Sequence, residues 1–244
     1  MSYELYYWPT IQGRGEFVRL ALEEAAAPYV DVARMPAPDG GVPAMMALLD
    51  GDSVPHPPFA PPFLKSGRLL IGQTAAILAY LGERHGLAPK SEAGRLWVHQ
   101  IQLTVADLVT EAHDTHHPIA SSLYYEDQKK EAARRAEGFR NVRAEKFLGW
   151  FETILERNGS GTGAGTWLAG RSLSYADLSV FQVVEGLRFA FPKTMMRLER
   201  KLPRLVALHD RVAARPRIKA YLTSERRLPF NQMGIFRHYP ELDP

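Results

Sequence analysis

Every strand-like segment of this 244-residue chain lies before residue 86. Tyr3 to Trp8 is short and aromatic, Tyr29 to Ala33 follows as a second segment, and Phe63–Lys65 and Leu69–Ile71 flank a Ser-Gly turn as a hairpin. Between the first two, FVRLALEEAAA sets Phe17, Leu20 and Ala21 at helical spacing, and Pro28 ends that helix. Residues 34–62 are irregular and proline-rich, with a short helical candidate at 43–49. Residues 73–85 predict an amphipathic helix that stops at Gly86. From Glu92 onward only helical periodicity remains, over 92–117, 126–157, 175–190, 202–214 and 216–223. The order β-α-β, long connection, β-β-α, then helices alone predicts a small α/β domain at 1–85 and an all-helical domain at 92–244.

Composition narrows the chemistry. Cysteine is absent, which excludes disulfides, thiolate metal sites and a cysteine nucleophile. No apolar run is long enough to span a bilayer. The first residues lack a basic segment followed by an apolar stretch, so no secretory signal is expected and a cytoplasmic location is. The net charge is only +3. Basic residues gather at 129–146 but alternate with Glu131, Glu137 and Glu145, which predicts a solvated helix face and no nucleic-acid partner. The glycine-rich run Gly159 to Gly165 lacks the Lys-Ser/Thr end of a phosphate loop and reads as a connector.

Four stretches, in order, carry a family resemblance: LYYWPTIQGRGEFVRLALEEAAAPY, PPFLKSGRLLIGQTAAILAYL, LAGRSLSYADLSVF and LPRLVALHDRVAARPRIKAYL. Together they resemble the cytosolic glutathione transferases over nearly the whole chain, in a tyrosine-type or closely related bacterial-like class. The resemblance implies a thioredoxin-like domain that binds glutathione and a helical domain that holds an apolar electrophile. It implies glutathione as co-substrate, no metal, and a homodimer.

In such proteins a cis proline opens the third strand and presents the preceding residue's backbone to the peptide. Pro62 matches that position. Pro61 before it has no N–H, so only its carbonyl can bind; the alternative register makes Pro61 the cis residue and leaves Ala60 to donate. Gln73 and Thr74 match the Gln-Ser/Thr pair that holds the γ-glutamyl carboxylate at a helix N-terminus. Read alone, Thr74 is a helix cap; the proline element before it turns the reading to the ligand site.

A thiol of pKa about 8.5 must be lowered to act near neutral pH. The resemblance assigns that task to a hydroxyl at the end of the first strand or just after it. Leu5-Tyr6-Tyr7-Trp8 selects Tyr7. Thr10 is the rival in the following loop, and Tyr6 points to the opposite face. Arg14 matches an arginine that orders the thiol site, or forms a salt bridge to a residue such as Glu16. The Trp and Lys that usually hold the glycyl end have no counterpart; Arg34 and His56 are the basic groups available there. Asp107 is expected to reach the partner subunit's ligand or to lie on an open helix face.

His113, His116 and His117 share a helical face, but with Asp114 turned elsewhere the sequence completes no metal motif. They are expected instead at the mouth of the electrophile pocket, with Ile11, Tyr124 and the following Tyr125. The apolar tail FNQMGIFRHYPELDP would fold back over the cleft through Phe230, Phe236 and Tyr239, or simply pack on the helices. Ser174 and Asp177 form a capping box, a folding feature. The functions consistent with these residues are a transferase, a non-catalytic glutathione or ligand carrier, and a glutathione-dependent isomerase or peroxidase.

Overall fold

The computed structural model describes residues 2–51, 54–159 and 166–244; the connector predicted at 159–165 lies outside them save for Gly159. Four strands form one sheet in the order β2-β1-β3-β4. They are β1 (Tyr3–Tyr6), β2 (Tyr29–Asp31), β3 (Phe63–Ser66) and β4 (Leu69–Gly72). β1 runs parallel to β2 and antiparallel to β3, and β3 and β4 form the expected hairpin with Leu64 opposite Ile71.

Strand alternation divides the sheet's faces as period two requires. Leu5 and Leu64 join the main core with Phe17 and Leu20 of α1 (Gly15–Glu24) and with Ile77, Leu78 and Leu81 of α3 (Thr74–His85). Tyr6 and Phe63 turn the other way and stack at 4.7 Å in a second cluster, beneath Met45 of α2 (Gly41–Leu49). α3 ends as predicted, with Gly86 at φ +69 as its left-handed cap.

The second half is helical. α4 (Glu92–Asp114) stops three residues short of the predicted end. The segment predicted at 126–157 divides into α5 (Lys129–Gly138) and α6 (Ala144–Gly159), joined by a π-helical turn at Phe139–Arg143. α7 (Tyr175–Ala190) is buried along most of its length and forms the axis of the domain. α8 (Pro192–Glu199), which the sequence reading passes over, begins directly after it, followed by α9 (Pro203–Ala213) and α10 (Pro216–Leu222).

Asp177 holds the start of α7. Its carboxylate accepts from the Ser174 N–H and hydroxyl, both at 2.7 Å, and from the Leu168 N–H at 2.8 Å. The capping box therefore also ties in the incoming loop. Among the described residues, no helix is long and apolar enough to cross a membrane.

Candidate functional site

β1 ends at Tyr6, and the chain then turns through Trp8–Arg14 into α1. Tyr6 is committed to structure: its hydroxyl donates to Glu4 Oε2 at 2.7 Å. Tyr7 is buried beside the start of α1, where its hydroxyl oxygen accepts the Arg14 N–H at 2.8 Å. No acceptor for its own proton occurs among the described residues. Burial raises the Tyr7 pKa, against the opposing pull of the Arg14 N–H and the Arg14 and Arg19 guanidiniums. Tyr7 is therefore a neutral phenol at physiological pH, with a lone pair engaged and an O–H to give. The ring fits because its neighbours are glycines. A Cβ on Gly13 would lie 2.0 Å from the Tyr7 hydroxyl, and one on Gly15 would lie 2.5 Å from the ring.

Thr10 is exposed, and its carbonyl accepts from Asn231 of the tail at 2.8 Å. Ile11 is half-buried beside it. The Arg14 guanidinium does not pair with Glu16. The Glu16 carboxylate is fully buried and already accepts from Arg19 at 3.2 Å, from the Tyr221 hydroxyl at 2.7 Å, and from Arg227.

That carboxylate begins a buried polar chain which sequence reasoning missed. Arg227 donates to Gln182 at 3.1 Å, and Gln182 donates to Gln12 at 2.7 Å. Gln12 in turn donates to the Leu228 carbonyl at 2.5 Å. On an amphipathic helix Glu16 and Arg19 look like an ordinary surface pair three residues apart. Only partners about two hundred residues away mark them as interior.

Beside the end of β1, where Tyr6 pairs with Phe63, the Pro61–Pro62 peptide is cis and leads directly into β3. This is the register with Pro62 as the cis residue. α3 begins at Thr74, with Gln73 as its N-cap at φ +64, ψ +120 and no side-chain capping bond. A positive φ is unusual for glutamine, and such strain is held in place only where the surroundings demand it. Thr74 is thus the first helical residue and caps nothing. Its hydroxyl is buried and has no hydrogen-bond partner, beside the free N–H groups of a helix start.

Of the two basic candidates for the glycyl end, Arg34 is spent on the segment after α10: it donates to the Arg226 carbonyl at 2.7 Å and the Glu225 carbonyl at 3.4 Å. His56 is exposed in the segment before β3.

The helical wall carries the three histidines. His116 is buried and bonded through Nε2 to the Ile235 carbonyl at 2.7 Å. His113 and His117 flank it with ring centroids 5.0 and 4.7 Å away. Burial first, then Arg237 and the neighbouring imidazoles, push His116 down to about 3 and His117 down to about 4. Burial also lowers His113, and the Arg14 charge acts on it in the same direction. Asp114 is not turned away as the sequence suggested: its carboxylate lies 3.4 Å from His113 Nδ1.

Two members of the predicted pocket stand elsewhere. Tyr124 is 77% exposed on the loop before α5. Phe236 is buried against Gly186 of α7, where an added Cβ would lie 2.2 Å from its ring. Tyr125 donates to Glu241 at 3.0 Å and stacks on Tyr239 at 3.8 Å. The tail thus packs on the helices and also touches the Gln12 loop, leaving a gap of about 10 Å³ between Gln12, Gly13 and the Phe230–Phe236 segment. A cavity of about 790 Å³ opens instead at the domain junction between Glu83, Lys90, Arg95 and Arg171. It contains none of the groups described above, and its size does not make it the reaction site.

Comparison with known proteins adds an independent line. Residues 113–225 match the family model described as the glutathione S-transferase C-terminal domain. The chain is 25% identical to a glutathione S-transferase of Plasmodium falciparum over 91% of its own length and 95% of that protein. It is 27% identical to glutathione S-transferase Mu 2 of Mus musculus over 93% of each. In fold it resembles the Pi-class glutathione S-transferase of Onchocerca volvulus, with a TM-score of 0.69 at 23% identity over 91% of this chain and 92% of that one.

Proposed function

We propose that this chain, a relative of the glutathione transferases in sequence and in fold, is itself a glutathione transferase, of the tyrosine type, conjugating apolar electrophiles in the cytoplasm in a detoxification role. The observation that carries the reading is Tyr7: a buried neutral phenol with its oxygen engaged by the Arg14 N–H and its proton unspoken for. An O–H donor favours a thiolate over a thiol. Bound glutathione loses its thiol proton to solvent, the Tyr7 hydroxyl donates to the sulfur anion, and the sulfur attacks the electrophilic carbon to form a thioether, the carbon–halogen bond of an aryl halide breaking as halide leaves with the electron pair.

The orphaned Thr74 hydroxyl and the strained Gln73 support the γ-glutamyl carboxylate at the start of α3. The carbonyl of Pro61 accepts from the peptide, and Pro62 sets the strand that carries it. His56 is the basic side chain left for the glycyl end. Arg14 supplies positive charge near the sulfur, with Thr10 as the alternative hydroxyl. Ile11, His113, His117 and Tyr239 line the electrophile side. Formation of thioether from glutathione and an aryl halide tests the reaction, and glutathione binding without product would make the protein a carrier.

Thr74→Ala should weaken glutathione about 10-fold or more in titration calorimetry, since a bond to a charged group is worth roughly 1.5–3 kcal/mol. The melting temperature should scarcely move, because the hydroxyl has no partner within the fold. Unchanged affinity would remove Thr74 from the ligand site.

Assembly as a homodimer is supported by apolar side chains left in the open. Leu96 and Leu103 on α4 are 64% and 48% exposed, Leu69 on β4 is 48% exposed, and Phe59 is 93% exposed. A second copy of the chain would cover them. Asp107 is exposed one turn beyond Leu103, positioned to reach the neighbouring subunit. Leu96→Glu combined with Leu103→Glu should shift the mass in light scattering from dimer to monomer at micromolar concentration. A wild-type monomer would overturn the assembly and with it any role for Asp107 across it.

A further inference from the structure

We propose that His113, His116 and His117 form a binding site for a zinc-class divalent cation, held by three imidazole nitrogens with a fourth position open. The ligand nitrogens of the three rings all lie within 4.8 Å of one another. Two of the residues are chain neighbours, and convergence of their rings needs the turn that follows α4. The helix ends at Asp114, Thr115 bonds back to the Ala112 carbonyl at 2.7 Å, and the His116 N–H bonds to the His113 carbonyl at 3.2 Å. This tight turn brings His116 and His117 onto the same side as His113.

The bond at His116 fixes which nitrogen is available. A carbonyl oxygen only accepts, so the 2.7 Å contact from Nε2 to Ile235 places the ring proton on Nε2. Nδ1 therefore carries the lone pair, and it faces His117 Nδ1 at 2.5 Å. Two imidazole nitrogens that close share either a proton or a cation. The His116 arrangement is the one that orients a metal-binding histidine, with the far nitrogen donating to a backbone carbonyl. The Asp114 carboxylate beside His113 Nδ1 offers a similar support at 3.4 Å, leaving His113 Nε2 for the ion.

Nitrogens on a tetrahedral zinc with bonds of about 2.0–2.1 Å lie roughly 3.3 Å apart. The shortest separation, 2.5 Å, must widen by about 0.8 Å, and the longest, up to 4.8 Å, must close by as much as about 1.5 Å. Ring rotation accommodates that at His113 and His117, which are only partly buried. Imidazole donors favour zinc, copper and nickel over magnesium or calcium. The Arg14 and Arg237 charges act on these rings and oppose a cation. Arg237 turns its guanidinium toward the Gly234 and Met233 carbonyls at 2.8 and 3.3 Å, which moderates that repulsion. The site is accordingly expected to bind in the micromolar range and not as a structural zinc.

The test is titration of the full-length protein with zinc chloride by calorimetry, and with cobalt(II) by visible absorption. One zinc per chain and a four-coordinate cobalt spectrum are expected. His117→Gln should weaken zinc at least tenfold, and His113→Gln combined with His117→Gln should abolish the cobalt bands. These two rings are partly exposed, so the variants keep the fold where a change at His116 endangers it. Five other histidines occur in the chain (His56, His85, His99, His209 and His238); binding that survives the double variant belongs to them and overturns the assignment. Absence of binding in the wild-type protein at 100-fold excess would make the three rings a hydrogen-bonded cluster only. No glutathione enters these measurements, so their failure leaves the transferase reading untouched.

Discussion

Replacing Tyr7 by Phe should raise the thiol pKa of bound glutathione by about 1–2 units, because a hydrogen bond to a charged group is worth roughly 1.5–3 kcal/mol and each unit is 1.36 kcal/mol. Below the shifted pKa, conjugation should then slow by about 10- to 100-fold. Glutathione affinity should hold, and stability should fall by about 1 kcal/mol where the N–H groups lose their acceptor. The ring and its packing against Gly13 and Gly15 persist, and what the fold loses is the hydroxyl's acceptance of the Arg14 and Gly15 backbone N–H groups. Thiolate absorbance of the complex against pH measures the shift directly. Tyr6→Phe is the control, since its hydroxyl is bound to Glu4 on the other face of the sheet. Thr10→Val tests the rival donor. A shifted curve in Thr10→Val with an unmoved one in Tyr7→Phe would sink the tyrosine-type assignment.

Asp177→Ala should produce the largest loss of stability among the changes considered. Three donors, the Leu168 N–H, the Ser174 N–H and the Ser174 hydroxyl, lose a buried acceptor together. At about 1–3 kcal/mol for each stranded group, the expected loss is about 3 kcal/mol or more. For a chain of this size that is a fall in melting temperature on the order of 10 °C.

A pH signature accompanies it. Burial pushes the Asp177 carboxyl up to about 6 from an ordinary 3.8, against its hydrogen bonds. Between those values the folded state holds a proton that the unfolded chain has released. Wild-type stability therefore falls as pH rises through that window and levels off above it. Asp177→Asn cannot titrate and should lack that slope in calorimetric melts between pH 4 and 6. A wild-type protein whose stability rises over the same window would show that the three donors outweigh burial.

Much of this architecture is visible in the sequence because it rests on local periodicity. Alternation along β1 and β3 separates Leu5 and Leu64 from Tyr6 and Phe63, and the structure divides them the same way. Helix ends were less legible. α4 stops before His116 because the Thr115 side chain and a tight turn take over from the helical ladder. α8 escapes a periodicity reading because it is eight residues long and starts at Pro192, immediately after α7. The site divides along the same line. Hydroxyl-bearing residues at strand and helix ends announce themselves. The Gln73 backbone, the buried Glu16–Arg227–Gln182–Gln12 chain and the tail's hold on the loop depend on contacts between distant parts of the chain, which no local pattern encodes.

The tail itself is fastened at both ends. Near its start, Leu228 receives the Gln12 amide and Asn231 bonds to Thr10. At its finish, the Asp243 carboxylate accepts from the Lys193 and Thr194 N–H groups and from the Thr194 hydroxyl at the start of α8. A segment moored this way has a fixed length to span, like the string of a bow. If the tail borders the proposed electrophile site, room for a bulkier group has to come from slack in the middle, around Gly234, and not from swinging the tail aside. On the proposed reading, acceptance of new substrates becomes a question of the spacing between two moorings, which ties it to the Asp243 carboxylate at the start of α8.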